Sequence, residues 1–285
     1  MAGMKWLQGH GLVIARRKYP RRGKSLWTAL FFAWLAAFCS SLPTIGAPLP
    51  ACLPPVVGGA KVIRIRDNGV LILDGRRTVK LEGLLWPAGA RGGTPDPAVA
   101  QSIAALQRLI AAHRLVLHSR EPKLDRFDRL RVHALLADGE WLQREIVRRG
   151  LARVSVAPDR PECARELYAA EAEARAAGLG LWANSTYRVR TPESLRWQDL
   201  GTFQIVEGQV LSAKVTGGRG YLDFGRNWRT DFTATIAPED MKRFISANID
   251  PKSFAGKRVR VRGWIDRLHG FEIEASSPAQ IEVLK

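Results

Sequence analysis

Three arginines and three aromatic residues interleave in one short stretch of the second half of the chain. The arginines are Arg219, Arg226 and Arg229, and the aromatic residues are Tyr221, Phe224 and Trp228. Aromatic rings set among positive charges are typical of surfaces that bind single-stranded nucleic acid, because bases stack on the rings and phosphates follow the charges. The pattern therefore predicts a nucleic-acid contact. The alternative is that Phe224 and Trp228 pack in a core and the arginines form a solvated rim.

The histidines show no spacing typical of metal ligands. They are His10, His113, His118, His133 and His269. A metal site needs several converging ligands, so the sequence predicts surface histidines and no bound metal. No Ser/His/Asp constellation, Walker loop or dinucleotide fingerprint occurs, and the glycine-rich run Gly217-Gly218-Arg219-Gly220 predicts a hairpin turn.

The chain is basic and has the composition of a globular protein. Its 285 residues carry a formal net charge of +17, with 46% hydrophobic and 25% charged residues. That length suits two modest domains and a targeting segment. Seven positive charges lie within the first 24 residues, and subtracting them from +17 leaves +10 for the rest. The excess predicts a polyanionic partner: nucleic acid, an anionic membrane surface or an acidic polysaccharide.

Residues 1–52 have the pattern of a secretory signal. A basic run ends at Lys24, an apolar run of 14 residues extends from Leu26 to Cys39, and small and turn-forming residues follow. A helix of that length spans about 21 Å, which is less than the ~30 Å of a bilayer core. The alternative is an uncleaved anchor that would make the membrane a partner. Either form predicts export, to the bacterial periplasm or outside the cell, or anchoring at the membrane.

Export to an oxidising compartment would allow the cysteines of this chain to form a disulfide. Beyond the apolar run the chain has Cys52 and Cys163. In an oxidising compartment two such cysteines are candidates for a disulfide that ties the entry of the first domain to its last helix. The alternative is two unpaired buried thiols.

The hydrophobic pattern and turn signals of residues 58–184 predict a small barrel with appended helices. Strands are predicted at 62–66, 70–73, 78–84, 115–117 and 130–136, and helices from Asp96-Pro97, from Trp141 to Gly150 and over 161–177. Three strands, a helix, two strands and two helices predict a five-stranded barrel of the OB type. The predicted fold class is therefore mainly β with appended helices (α+β).

Residues 185–199 read as a linker, and residues 200–285 as a second domain. Further strands are predicted in residues 203–215, 221–224, 232–236 and 281–283, with a short helix after Pro238. A hairpin is predicted between residues 257–265 and 271–275. Strands that flank one helix predict a second small OB-like barrel.

The order of elements in the first domain and several of its motifs resemble the thermonuclease, or staphylococcal-nuclease-like, family. The matching runs are Asp74-Gly75-Arg76, Asp125-Arg126-Phe127-Asp128-Arg129-Leu130, Ala137-Asp138-Gly139, residues 142–154 and residues 171–182. The resemblance implies an OB barrel and metal-dependent hydrolysis of phosphodiesters. The second domain is similar, less closely, to the accessory domain that follows degenerate thermonuclease-like domains in some exported bacterial proteins.

The resemblance also assigns a phosphate clamp. In the family, two arginines hold the phosphate and stabilise the charge that grows in the transition state. The matching positions here are Arg129 and Lys80, and Lys80 keeps the charge without the bidentate fork of an arginine. Both are candidate catalytic residues. Together with Arg126 they are also candidate nucleic-acid contacts.

The family's metal ligands and general base are not matched. Gly69, Leu85 and Trp86 stand at the calcium-ligand positions and Ala88 at the position of the base, and the nucleotide-stacking tyrosines would fall near residues 156–158. Hard cations need oxygen ligands. Glu82 reads as a solvated strand residue and Asp67 as a turn residue, so neither is predicted to substitute.

A degenerate site therefore favours binding of nucleic acid or another polyanion with weak or no phosphodiesterase activity and no cofactor. One alternative is an active nuclease with rearranged ligands, which would need Ca²⁺. The other is a non-catalytic scaffold in the cell envelope. The oligomeric state stays open.

Overall fold

The computed structural model describes residues 49–87, 96–227 and 229–284. Nearly all of the predicted signal or anchor segment (residues 1–52) lies outside them, as do Ala88 and Trp228. Within the described residues, no helix has the length and apolar character needed to cross a membrane.

Five strands close into a barrel in the first domain, which confirms the predicted architecture. The strands are β1 (Val56–Ile65), β2 (Leu71–Leu73), β3 (Thr78–Leu81), β5 (Arg114–His118) and β6 (Leu130–Leu135). Their order around the barrel is β1-β2-β3-β6-β5, with β3 and β6 parallel. Side chains alternate across each strand, so Leu71, Leu73, Val79 and Leu81 all point into the core.

Two short strands and three helices complete this domain. The short strands β4 (Leu84–Leu85) and β7 (Arg153–Val154) pair with each other. The helices are α1 (Pro97–Ile110), α2 (Leu142–Arg148) and α3 (Ala164–Ala176). The carboxylate of Asp96 accepts a hydrogen bond from the backbone N–H of Ala98 at 2.9 Å and so caps α1, as its position before Pro97 predicts.

A disulfide joins Cys52 to Cys163, the pair that the sequence predicts. Their Cα atoms lie 5.3 Å apart, and the bridge encloses a sequence separation of 111 residues. Cys163 precedes the first residue of α3, so the bridge holds the entry strand of the barrel against the start of its last helix.

Residues 185–199 fold into short 3-10 turns that pack on the rest of the protein. Tyr187, Leu195 and Asp199 are buried in this segment. The backbone of Arg190 donates to the carbonyl of Ile205 and accepts from the N–H of Glu207, at 2.8 Å in each case. The segment therefore runs beside the first strand of the second domain.

The second domain consists of two sheets in the described residues. Its elements are β8 (Phe203–Gln209), β9 (Ser212–Thr216), β10 (Arg219–Asp223), β11 (Thr233–Ile236), α4 (Met241–Ser246), β12 (Arg258–Trp264), β13 (Asp266–Arg267), β14 (Phe271–Glu274) and β15 (Ile281–Val283). The sheet orders are β13-β14-β11-β10-β9 and β15-β12-β8. The predicted second closed barrel is therefore not confirmed.

The predicted hairpin of residues 257–265 with 271–275 is wrong. β12 pairs with β8 and β15, whereas β14 pairs with β13 and runs parallel to β11. The two segments belong to different sheets, and Gly263 on β12 lies directly against Ile273 on β14, where a Cβ atom would overlap the isoleucine side chain. The chain crosses from one sheet to the other between Trp264 and Asp266.

Candidate nucleic-acid interface

A cleft of about 430 Å³ opens at one side of the barrel and brings Lys80 and Arg129 together. The turn between β1 and β2 forms one wall, and Trp86 and Pro87 form another. Lys80 projects from β3 and Arg129 precedes β6, its parallel neighbour. The strand order therefore places side by side two cations that are 49 residues apart in sequence.

Arg129 is held in place by Asp125. Its Nε donates to one carboxylate oxygen at 2.8 Å, and its Nη2 lies 2.6 Å from the same oxygen. The other oxygen accepts the backbone N–H groups of Phe127 and Arg129. Burial raises the pKa of Asp125, but these hydrogen bonds and the charge of Arg129 outweigh it, and the net pKa is below its ordinary value. The guanidinium is thus oriented, with 22% of its side chain exposed to the cleft.

An exposed aromatic ring contacts two guanidinium groups next to the cleft. Phe127 is 59% exposed, and the guanidinium carbons of Arg126 and Arg129 each lie 4.8 Å from its ring centroid. Phe127 was not predicted from the sequence as a contact residue, although its place between Arg126 and Arg129 was a usable signal. An exposed ring among cations can stack a nucleobase while the cations bind phosphate.

Lys80 shares its charge with a buried ion-pair network. Its Nζ lies 3.7 Å from a carboxylate oxygen of Glu82, and 38% of its side chain remains exposed. Glu82 is only 2% exposed and accepts two hydrogen bonds from Arg131, at 3.0 and 3.2 Å. The prediction of a solvated Glu82 was therefore wrong. Glu82 directly follows β3 and accepts from Arg131 on the neighbouring strand β6, so its carboxylate is committed to that pair.

The cleft does not fit a calcium ion. A Cβ atom added at Gly69 would overlap the indole nitrogen of Trp86, so the tryptophan occupies the space that a carboxylate at position 69 would need. Gly69 has a φ of 74°, which suits glycine in this turn. Among the described residues that line the cleft, Asp67 supplies the one carboxylate. Calcium takes six to eight oxygen ligands, so this set is too small.

Elsewhere, too, the structure contains no group of three or more His, Cys, Asp or Glu side chains placed to hold a metal, within the residues it describes. Two of the histidines predicted to lie at the surface are buried: His118 and His133 face each other across β5 and β6. Nδ1 of His118 lies 2.8 Å from the carbonyl oxygen of Pro54. Burial lowers the pKa of His133 to about 4. These histidines are core residues.

Of the arginine and aromatic residues predicted at 219–229, the structure describes all but Trp228, and it places Phe224 in the core. Phe224 is buried and packs against Phe232 with ring centroids 5.0 Å apart, so it belongs to the core. Arg219 donates to Glu274 at 2.7 Å, and this hydrogen bond raises its pKa despite the opposing effect of burial. Arg226 and Arg229 are exposed on the loop after β10, with Trp228 between them lying outside the described residues.

A family model described as a staphylococcal nuclease homologue matches residues 92–184. The matched segment includes α1 to α3, β5, β6 and the run from Asp125 to Arg129. It does not include β3 with Lys80, or Gly69 and Trp86. No match to the chain is found among curated proteins.

Proposed function

Residues 92–184 match the family model of staphylococcal nuclease homologues, and on that premise we propose that the first barrel binds nucleic acid or another polyanion with little or no phosphodiester hydrolysis. One observation carries the proposal. The phosphate-facing cations Lys80 and Arg129 share a cleft in which Trp86 takes the space of a metal ligand. Binding groups are present there, and the cleft does not fit the ion that would activate water.

The magnitudes favour binding over catalysis. A positioned general base contributes about 10²–10⁴ in rate. A metal ion that polarises a phosphoryl oxygen contributes several kcal/mol more. The arginine and lysine can still stabilise negative charge, but without those two contributions hydrolysis would be slower by many orders of magnitude. A hydrogen bond to an ionised group, in contrast, still contributes roughly 1.5 kcal/mol to the free energy of binding.

The ligand contact extends in this proposal from the cleft over Phe127. Arg126 and Arg129 bind phosphates beside the ring, and a base stacks on the part of the ring that stays exposed. Arg226 and Arg229 on the second domain are a further proposed contact, supported by their exposure and charge.

Export is part of the same proposal. The basic and apolar pattern of residues 1–52 supports a signal or an anchor, and the disulfide between Cys52 and Cys163 is suited to an oxidising compartment. The protein would act in the bacterial periplasm or outside the cell, or at the membrane if the segment is retained.

Fluorescence anisotropy with labelled single-stranded DNA, measured from low to high salt, tests the binding. Arg129→Ala should weaken binding about tenfold, since roughly 1.5 kcal/mol is lost with one charged hydrogen bond. It should also reduce the salt slope by about 0.7, which corresponds to one phosphate contact on a single strand. The matched control is Arg148→Ala, because Arg148 is an exposed arginine on α2 that does not line the cleft. Control binding should be unchanged.

Cleavage is measured on the same DNA with calcium and with a chelator. The proposal expects no calcium-dependent cleavage. Calcium-dependent cleavage that is lost in Arg129→Ala would contradict the proposal and show that the protein is an active nuclease. The absence of both cleavage and salt-dependent binding would contradict the proposal and favour a non-catalytic scaffold in the cell envelope. Unchanged affinity in Arg226→Ala/Arg229→Ala would restrict the interface to the first barrel.

A further inference from the structure

The second domain contains a pocket of about 480 Å³ on one face of its five-stranded sheet. The other face carries Leu222, Ala234, Ile236 and Ile273 into the core. The pocket face carries polar side chains instead, although several of them are as buried as core residues. Thr235 is 0% exposed and Asp223 is 5% exposed. Polar groups at that depth beside an open cavity point to a ligand site and not to an ordinary solvated sheet face.

A row of hydrogen-bonding groups crosses four strands, and three of its members, Asp223, Thr233 and Glu272, line the pocket. Ser212 on β9 pairs with Asp223 on β10, Asp223 with Thr233 on β11, and Thr233 with Glu272 on β14. Neighbouring strands lie about 4.8 Å apart, so donors and acceptors repeat at that interval. A row with this spacing can engage several hydroxyl groups on one ring.

Each carboxylate in the row is already oriented by a hydroxyl group. Asp223 accepts a hydrogen bond from Ser212 at 2.8 Å and lies 3.3 Å from the ammonium of Lys214. Glu272 accepts one from Thr235. Burial raises the pKa of Glu272, the Thr235 hydrogen bond opposes that rise, and nearby Glu274 adds to it. The row therefore offers fixed acceptors to a ligand, because the hydroxyl groups already donate to the carboxylates and keep only their acceptor lone pairs.

The walls of the pocket are aromatic and extend beyond it. Tyr221 and Phe271 line the cavity. Trp197 lies outside it with its ring centroid 5.5 Å from that of Phe271, and it is 65% exposed. The guanidinium carbon of Arg267 lies 5.0 Å from the Trp197 ring centroid. A large exposed tryptophan beside a polar pocket provides a platform for a second ring of a longer ligand.

The charges in the pocket disfavour a phosphate or a carboxylate ligand. The carboxylates of Asp223 and Glu272 line it, and the ammonium of Lys214 is already paired with Asp223. An anion placed on this row would lie against two acceptor groups with no unpaired lysine or arginine among the described lining residues. A hydroxyl-rich ring fits instead, since its hydroxyls bond to carboxylates in the ring plane while its C–H face packs on an aromatic side chain.

We propose that this pocket binds a non-anionic glycan, with one sugar ring on the Asp223–Glu272 row against Tyr221 and Phe271 and the next on Trp197. This function is separate from nucleic-acid binding in the first domain. It would let the protein hold a polysaccharide surface while the first barrel engages a polyanion.

Titration of the full-length protein with oligosaccharides, followed by calorimetry and tryptophan fluorescence, tests the proposal. The probes are oligomers of neutral hexose, N-acetylated amino sugar, free amino sugar and uronic acid. At least one of the first three should bind, and the uronic acid oligomer should not. Trp197→Ala should weaken binding about 3- to 10-fold through loss of one stacked ring. Glu272→Gln, which keeps the shape of the side chain, should weaken it about tenfold.

Trp264→Ala is the matched control, because Trp264 is 56% exposed on β12 of the other sheet and does not line the pocket. The affinity of the Trp264→Ala variant for the oligosaccharide should be unchanged. Single-stranded DNA should not displace the bound sugar. No binding of any oligomer at millimolar concentration would overturn the proposal, and so would equal binding of the uronic acid oligomer. Displacement by DNA together with loss of DNA binding in Tyr221→Ala would show that this face is a nucleic-acid surface.

Discussion

Replacement of Arg262 should destabilise the contact between the two domains more than any surface change would. Arg262 on β12 is 1% exposed and lies 2.9 Å from Glu171 on α3, which is 0% exposed. The same side chain donates to the carbonyl of Val154 at 3.3 Å and stacks 3.8 Å from the ring centroid of Tyr168. Burial disfavours the charge, but Glu171, Tyr168 and Glu282 outweigh it and hold the pKa of Arg262 above its ordinary value.

The magnitude follows from what Arg262→Met leaves behind. Glu282 is 22% exposed and can be hydrated, whereas Glu171 would keep only the N–H of Val154 as a partner. Breaking a buried ion pair by removing one member costs about 3–5 kcal/mol, because an uncompensated charge stays buried. Methionine retains much of the packing volume against Tyr168, so the loss is mainly electrostatic.

The assay is urea denaturation followed by circular dichroism and tryptophan fluorescence. The wild type should unfold in one transition, and Arg262→Met should lower the free energy of unfolding by about 3–5 kcal/mol. Glu171→Gln keeps an acceptor for the Val154 N–H. The double variant Arg262→Met/Glu171→Gln should therefore be more stable than Arg262→Met alone, with a coupling of roughly 1–3 kcal/mol.

Two results would refute this reasoning. A cost below about 1 kcal/mol for Arg262→Met would show that water reaches Glu171 and that the pair is not desolvated. Strictly additive single and double variants would show that Arg262 and Glu171 do not stabilise each other. Arg258→Met is the control, because Arg258 is an arginine of the same strand with 68% of its side chain exposed, and its cost should stay within about 0.5 kcal/mol.

Two further predictions concern the first barrel. His133 has an ordinary pKa of 6.5 and a folded pKa of about 4, so only the unfolded chain takes up its proton between those values. The free energy of unfolding is therefore unaffected by His133 above pH 6.5 and decreases as the pH falls to 4, by about 3 kcal/mol at most. His133→Gln should flatten the stability profile in this window relative to His113→Gln, and parallel profiles would contradict the assignment. Gly69→Ala should cost about 1–3 kcal/mol in urea denaturation because its Cβ meets Trp86, and less in a Trp86→Ala background; an equal cost in both would mean that the indole does not fill this space.

The barrel could be predicted from the sequence because each of its elements carries a local signal. Alternating apolar residues mark the strands, and Asp96-Pro97 marks the start of α1. Pairing in the second domain depends on contacts between distant segments, and local patterns do not encode them. β12 and β14 are near in sequence and read as a hairpin, but they belong to different sheets, and Gly263 of β12 packs against Ile273 of β14.

The predictions for the first barrel were wrong mainly where polar or titratable side chains are buried. Glu82, His118 and His133 read as surface residues because polar side chains are mostly exposed. Their partners come from elsewhere in the chain: Arg131 for Glu82, and the carbonyl of Pro54 for His118. A sequence shows the cost of burying a polar group but not the distant group that offsets it.

The relation between Gly69 and Trp86 changes what the missing carboxylates mean. A site that had only lost its ligands would be a cavity, and restoring one carboxylate would partly restore the metal. Here the indole packs on the glycine, so an aspartate at position 69 would first have to displace Trp86 from a wall of the cleft. The two positions are coupled and cannot be restored one at a time. Lys80 and Arg129 do not depend on that wall, since Glu82 and Asp125 hold them. On the proposed function, the two cations therefore keep their positions independently of the space that Trp86 fills, and the cleft can bind phosphate without accepting a metal ligand at position 69.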